Sequence, residues 1–165
     1  MLEIIKPGLY VSSLARVPVG VLVDRGIKGL VVDLDNTVTL WNDDYLAPEV
    51  LEWFSTVSRA GLKACLTSNN SPERGRRVVE RLALPAVFNC GKPRRRGLRQ
   101  ALEVLGMTPR ETALIGDQIF TDVLGGNRLG LYTILVRPIS PYEFIGTRFM
   151  RRLERVVLRS LPGPE

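Results

Sequence analysis

Asp33 and Asp35 stand two residues apart at the end of an apolar, β-branched run, Gly29-Leu30-Val31-Val32, and Asn36 and Thr37 follow them. In an extended strand the two carboxylates would point to opposite faces, so they can serve one site only if the chain turns at Asp35. A hard, doubly charged cation such as Mg²⁺, which takes oxygen ligands, would stop two such groups repelling each other. Without a cation the fragment is a solvated turn with Asx caps.

Three further stretches carry the same kind of chemistry. Thr67-Ser68-Asn69-Asn70 offers hydroxyls and amides that can hydrogen-bond phosphate oxygens, or simply cap the helix that Pro72 opens. Gly91-Lys92-Pro93 supplies one lysine, a point charge able to neutralise both a phosphoryl group and a carboxylate. Gly116-Asp117-Gln118-Ile119-Phe120-Thr121-Asp122 sets two more carboxylates beyond a strand, where Gly116 allows close backbone approach. Asp117 could complete a metal shell; Asp122 either joins it or caps a helix beginning near Thr121.

The composition removes the competing chemistries. There is no His among the 165 residues, which excludes the usual general base, the Ser–His pair and the commonest metal ligand. Catalysis must then use carboxylates, Lys, hydroxyls or thiols. The formal charge of +6, from 23 Lys and Arg against 17 Asp and Glu, favours an anionic partner. Cys65 and Cys90 lie in apolar surroundings without a paired metal-ligand spacing, so they read as buried thiols in a reducing cytosol. Glu3, Lys6 and Pro7 break the opening apolar residues, so no signal peptide is expected there, and no stretch reaches membrane-spanning length.

The elements that must hold these residues alternate. Apolar runs near 29–35, 62–67 and 112–115 read as buried parallel strands, each ending in the polar residues just named, and shorter runs at 86–90 and 132–136 bring the total to about five. Helical patterns fall at 48–59, 72–82 and 96–105, the second with Ser71 at its cap and Pro72 in its first turn. The expected fold is α/β, Rossmann-like and three-layered, with a mainly parallel sheet in one domain over 1–165. In such sheets ligands bind beyond the carboxyl ends of the strands, where all the candidate residues fall.

Taken together and in order, Asp33-x-Asp35-x-Thr37, Ser68, Lys92 and Gly116-Asp117-x-x-x-x-Asp122 resemble the four motifs of haloacid dehalogenase-like phosphatases. The resemblance covers about residues 28–136. It is narrower still to the YqeG-type, class IIIA phosphatases, through Asp-Leu-Asp-Asn-Thr, Thr-Ser-Asn-Asn, Gly-Lys-Pro followed by Arg94-Arg95-Arg96, and Gly-Asp-Gln with Thr121-Asp122. Relatives of that group include a mitochondrial phosphatidylglycerophosphate phosphatase.

The resemblance implies a mechanism. Asp33 attacks phosphorus, and Asp35 first protonates the leaving oxygen, then acts as base for hydrolysis of the aspartyl phosphate. Mg²⁺ is held by Asp33, by Asp35 through its backbone carbonyl, and by Asp117. Ser68, Asn69 and Lys92 hold the phosphoryl group, while Thr37, Gly116 and Asp122 support the site. Asp35 argues for a phosphatase over a dehalogenase, since a halide leaving group needs no proton.

Spacing bears on the substrate. Residues 38–67 hold only a flap near 38–46, one helix and one strand, and 69–91 hold one helix and a short strand, so neither usual insertion point has room for a cap domain. By family analogy a capless site suits large or surface-bound substrates. At 142–161, Ile145, Phe149, Leu153 and Val156 recur at helical spacing beside Arg148, Arg152, Arg155 and Arg159, with Arg151 nearby. Such a helix either docks on an anionic membrane or packs its apolar face on the sheet. The leading expectation is hydrolysis of phosphatidylglycerophosphate by a cytoplasmic enzyme, peripheral on the inner membrane face, with an anionic phospholipid as partner. The alternatives are a phosphatase for soluble metabolites or phosphoproteins, and a non-catalytic RNA-binding module using Lys92, Arg94, Arg95, Arg96 and Arg99. Nucleic acid is disfavoured because Asp33, Asp35 and Asp117 would repel its backbone.

Overall fold

The computed structural model describes residues 2–41 and 43–140, together with Glu154, Val157, Leu158, Gly163 and Pro164. Six parallel strands form one sheet: β1 (Leu9–Val11), β2 (Gly29–Asp33), β3 (Lys63–Thr67), β4 (Ala86–Val87), β5 (Thr112–Gly116) and β6 (Tyr132–Val136). Their order across the sheet is β1-β6-β5-β2-β3-β4. The helices are α1 (Val19–Asp24), α2 (Pro48–Arg59), α3 (Pro72–Leu82), α4 (Arg95–Leu105) and the short α5 (Leu124–Asn127), which follows a π-helical turn at Ile119–Val123.

The strands are apolar on both faces because helices cover both. Leu30 and Val32 of β2, with Ala113 and Ile115 of β5, pack on Leu22, Trp53, Phe54 and Val78 of α1, α2 and α3. The intervening Val31 and Leu114 meet Leu98, Ala101 and Leu105 of α4 on the other side. This period-two division is what a doubly covered parallel sheet requires. Trp53 ties α2 to the preceding chain by donating its indole N–H to the Val17 carbonyl at 3.0 Å.

Three points differ from the expectation. The sheet has six strands rather than about five: β1 adds an edge, pairing parallel to β6 through Leu9–Val11. The run at 86–90 contributes only the two-residue β4, after which the chain leaves the sheet to bring Cys90 and Lys92 inward. Ser71 and Pro72 open α3 as expected, but the Ser71 side chain makes no cap bond to the helix.

Cys65 and Cys90 are buried free thiols; burial pushes Cys65 up to about 12 and Cys90 to about 11, so neither is a thiolate. Among the described residues no helix is long and apolar enough to cross a membrane. The arginine and apolar stripes expected at 142–161 lie outside the described residues.

The chain leaves β2 toward β3 and β4 and returns across the sheet to β5, which pairs with the opposite side of β2. The crevice beyond the carboxyl ends of β2, β3 and β5 is therefore the topological switch point, where such sheets bind ligands.

Candidate active site

β2 ends at Asp33, and the required turn comes three residues later. Asn36 has φ 65°, a left-handed conformation that Asn tolerates better than most side chains, and its N–H donates to the Thr39 carbonyl at 2.7 Å. The flap that begins there is braced from outside. Thr39 donates its hydroxyl to the Tyr45 carbonyl at 2.8 Å, Arg74 of α3 lies 4.2 Å over the Trp41 ring, and Arg77 pairs with Asp44 at 3.2 Å.

Lys92 is the centre of the cluster. Its ammonium donates to Asp33 Oδ1 at 2.5 Å, to Asp122 Oδ1 at 2.7 Å and to the Thr67 hydroxyl at 3.4 Å. Asn69, expected on the substrate phosphate, grips the lysine backbone from both sides. It accepts the Lys92 N–H at 2.9 Å and donates to the Lys92 carbonyl at 3.0 Å. Lys92, Asp33, Asp117 and Asp122 are all buried, none more than 6% exposed.

Asp117 follows β5, and oxygens of Asp33, Asp117 and Asp122 lie within 4.8 Å of one another. The Thr37 hydroxyl reaches Asp117 Oδ1 at 3.5 Å. Asp122 gets close because Gly116 has no side chain: a Cβ there would lie 2.3 Å from the Asp122 carboxyl carbon. Asp122 also accepts the Gln118 N–H at 3.2 Å, so it does cap the helical turn, which begins at Ile119 rather than near Thr121.

Asp35 has different company. Its Oδ2 accepts hydrogen bonds from the Ser68 hydroxyl and from the Asn70 amide at 3.0 Å, and it is half-buried. Ser68 in turn accepts the Asn70 N–H at 3.0 Å. Asn70 was visible only as part of a polar run; its position after β3 is what aims it at Asp35.

The electrostatics follow from burial. Loss of water pushes the Asp33 carboxyl well above the ordinary carboxylate range; Lys92 pulls against this, while Asp122 and Asp117 add to it. Burial also works against the Lys92 cation, but Asp122 and Asp33 outweigh it and hold the ammonium above the ordinary lysine range. Three buried carboxylates gather beside the Lys92 ammonium. An all-oxygen donor set of this kind fits a hard divalent cation.

With this geometry in view, comparison with known proteins becomes informative. Residues 89–138 match the HAD-hydrolase-like family model and residues 2–76 the mitochondrial PGP (phosphatidylglycerophosphate) phosphatase model. The probable phosphatase YqeG of Bacillus subtilis is 35% identical over 94% of this chain and 90% of its own. The chain belongs to the YqeG-type phosphatases of the haloacid dehalogenase-like superfamily. Among more distant members, a mitochondrial phosphatidylglycerophosphatase of Saccharomyces cerevisiae is 26% identical over 84% of this chain and 85% of its own. The cobalt-bound deoxy-D-mannose-octulosonate 8-phosphate phosphatase of Haemophilus influenzae shares the fold, with TM-score 0.55 over 82% of this chain and 90% of its own at 17% identity. The α/β layers and the phosphatase assignment thus agree.

Proposed function

We propose that this YqeG-type phosphatase hydrolyses phosphatidylglycerophosphate to phosphatidylglycerol through an aspartyl phosphate on Asp33, with Mg²⁺ as cofactor. The observation that carries the mechanism is the single Lys92 ammonium between Asp33 and Asp122, with Asp117 beside them and Asp35 held apart on neutral donors. Mg²⁺, held by Asp33, Asp117 and the Asp35 carbonyl, would supply positive charge against the phosphoryl oxygens.

Asp33 attacks phosphorus as the bond to the leaving oxygen breaks, and Asp35 gives its proton to that oxygen, leaving an alcohol and an aspartyl phosphate. Asp35, now a carboxylate, takes a proton from the water whose oxygen attacks phosphorus; phosphate leaves and Asp33 is restored. Lys92 and Ser68 hold the phosphoryl oxygens, and Asp122 keeps the lysine in place. The lipid assignment draws on the phosphatidylglycerophosphate phosphatases among the relatives and on the absence of a cap domain over the described site.

The test is phosphate release by the purified chain from phosphatidylglycerophosphate in mixed micelles, from phosphoserine and from p-nitrophenyl phosphate, in Mg²⁺ and in EDTA. Mg²⁺-dependent turnover with the lipid preferred is expected. Better turnover of phosphoserine would move the assignment to soluble phosphoesters, and undiminished activity in EDTA would remove the metal from it.

A further inference from the structure

Ile119 opens the π-helical turn that carries Asp122, two residues after Asp117. Its backbone N–H donates to Glu154 Oε1 at 2.6 Å, and Glu154 is 2% exposed. Glu154, Val157 and Leu158 are helical and share one face at i, i+3 and i+4, with Val157 and Leu158 packed against Ile119, Val123 and Leu135.

The bond falls where it controls the site. The neighbouring Gln118 N–H donates to Asp122, so the two amides at the head of the turn are each taken by a carboxylate, one from inside the loop and one from the C-terminal segment. The same segment is fastened to the other catalytic loop at 139–140. Asn36 accepts the Ile139 N–H on its carbonyl at 3.0 Å, accepts the Ser140 N–H on Oδ1 at 2.9 Å and donates Nδ2 to the Ser140 carbonyl at 2.9 Å.

We propose that Glu154 is a positioning residue of the catalytic site. By holding the Ile119 amide it fixes the loop between Gly116 and Asp122, and so the distance of Asp117 from Asp33. The acceptor oxygen performs this task, not the charge, so Glu154→Gln preserves it and the near-isosteric, apolar Glu154→Leu removes it. The activity arm of the test rests on the phosphatase reading; the exchange arm does not.

Both variants are made in the full chain and compared with the wild type by steady-state kinetics, Mg²⁺ titration of turnover and hydrogen exchange of the amides at 117–123. For Glu154→Leu we expect kcat to fall about tenfold and half-saturating Mg²⁺ to rise several-fold with KM unchanged, the scale of a displacement well below 1 Å. Exchange at 117–123 should accelerate about tenfold while the sheet strands stay protected. Glu154→Gln should match the wild type in all three. Wild-type kinetics and exchange in Glu154→Leu would overturn the role, as would equal losses in the two variants or loss of protection across the whole sheet. If the wild type hydrolyses no phosphoester yet the local exchange difference appears, the phosphatase reading falls and the positioning role stands.

Discussion

Asp33 and Asp35 are separated by one residue and live in opposite surroundings. Asp33 is buried against an ammonium and two further carboxylates, so its charge state is set by a network that spans β2, the Lys92 loop and the loop after β5. Asp35 is half-buried and its carboxylate is held by a hydroxyl and an amide, both supplied by the three residues that follow β3. A group that must stay in place and attack needs the first environment; one that must gain and lose a proton in each turnover needs the second. Two carboxylates given separate surroundings are the usual way one site obtains separate roles.

The sharpest way to break this comparison is to neutralise each carboxylate in turn. Asp33→Asn should lower kcat by about 10⁴-fold or more, because an amide cannot form the aspartyl phosphate. Its metal-free stability should change little, since burial already disfavours the Asp33 charge despite its bond to Lys92. Asp35→Asn should lose about 10²- to 10⁴-fold, the worth of a general acid and base. With p-nitrophenyl phosphate, whose leaving group needs little protonation, it should also give a burst and accumulate phosphoenzyme that acid quenching can trap. A burst from Asp33→Asn, or none from Asp35→Asn, would exchange or abolish the assigned roles.

A smaller effect tests the environment of Asp33. Asp33 is raised above its ordinary value of 3.8, so the folded state binds that proton more tightly than the unfolded chain. Stability without metal must then fall as pH rises from that value through the raised one. Lys92 is raised above 10.5, so its contribution is fully present below that value and is lost only as pH climbs through the folded one; it stays constant at neutral pH. In EDTA the melting temperature should drop as pH rises above 3.8, and saturating Mg²⁺ should flatten the profile. A flat profile in EDTA would mean that the cluster does not hold Asp33 away from its ordinary range.

The parts of this arrangement that could be read from sequence are those written in local chemistry. β-branched runs ending in Asp33, Thr67 and Gly116 define the central strands, and Pro48 and Pro72 mark where α2 and α3 begin. The edge strand β1 is only three residues long and follows Pro7-Gly8, and α1 is six residues rich in valine; neither is long enough to show a period. What the residues do once brought together was less legible. Asn69 lies in a polar run suited to phosphate, but the return of the chain through β4 places the Lys92 backbone against it. Glu154 was not singled out in the sequence, and only tertiary packing brings it onto the Ile119 amide. Gly116 was expected to admit a close approach; the group admitted is the carboxylate of its own loop, Asp122.

The smallest expected effect separates two uses of Ser68. Its hydroxyl donates to Asp35, as does the Asn70 amide, so each side chain holds the same carboxylate oxygen. If orientation of Asp35 were the whole of its task, Ser68→Ala and Asn70→Ala would each lower kcat about three- to tenfold, the worth of one hydrogen bond, with KM unchanged. Neither should then matter further once Asp35 is already Asn, because the oriented group is gone. The assignment of Ser68 to the phosphoryl group predicts a different pattern. Ser68→Ala should raise KM as well, and about threefold of its effect should persist in the Asp35→Asn background, whereas Asn70→Ala should lose its effect there. Equal and fully suppressed effects of the two alanine variants would restrict Ser68 to Asp35 and leave Lys92 as the principal side chain on the phosphoryl oxygens.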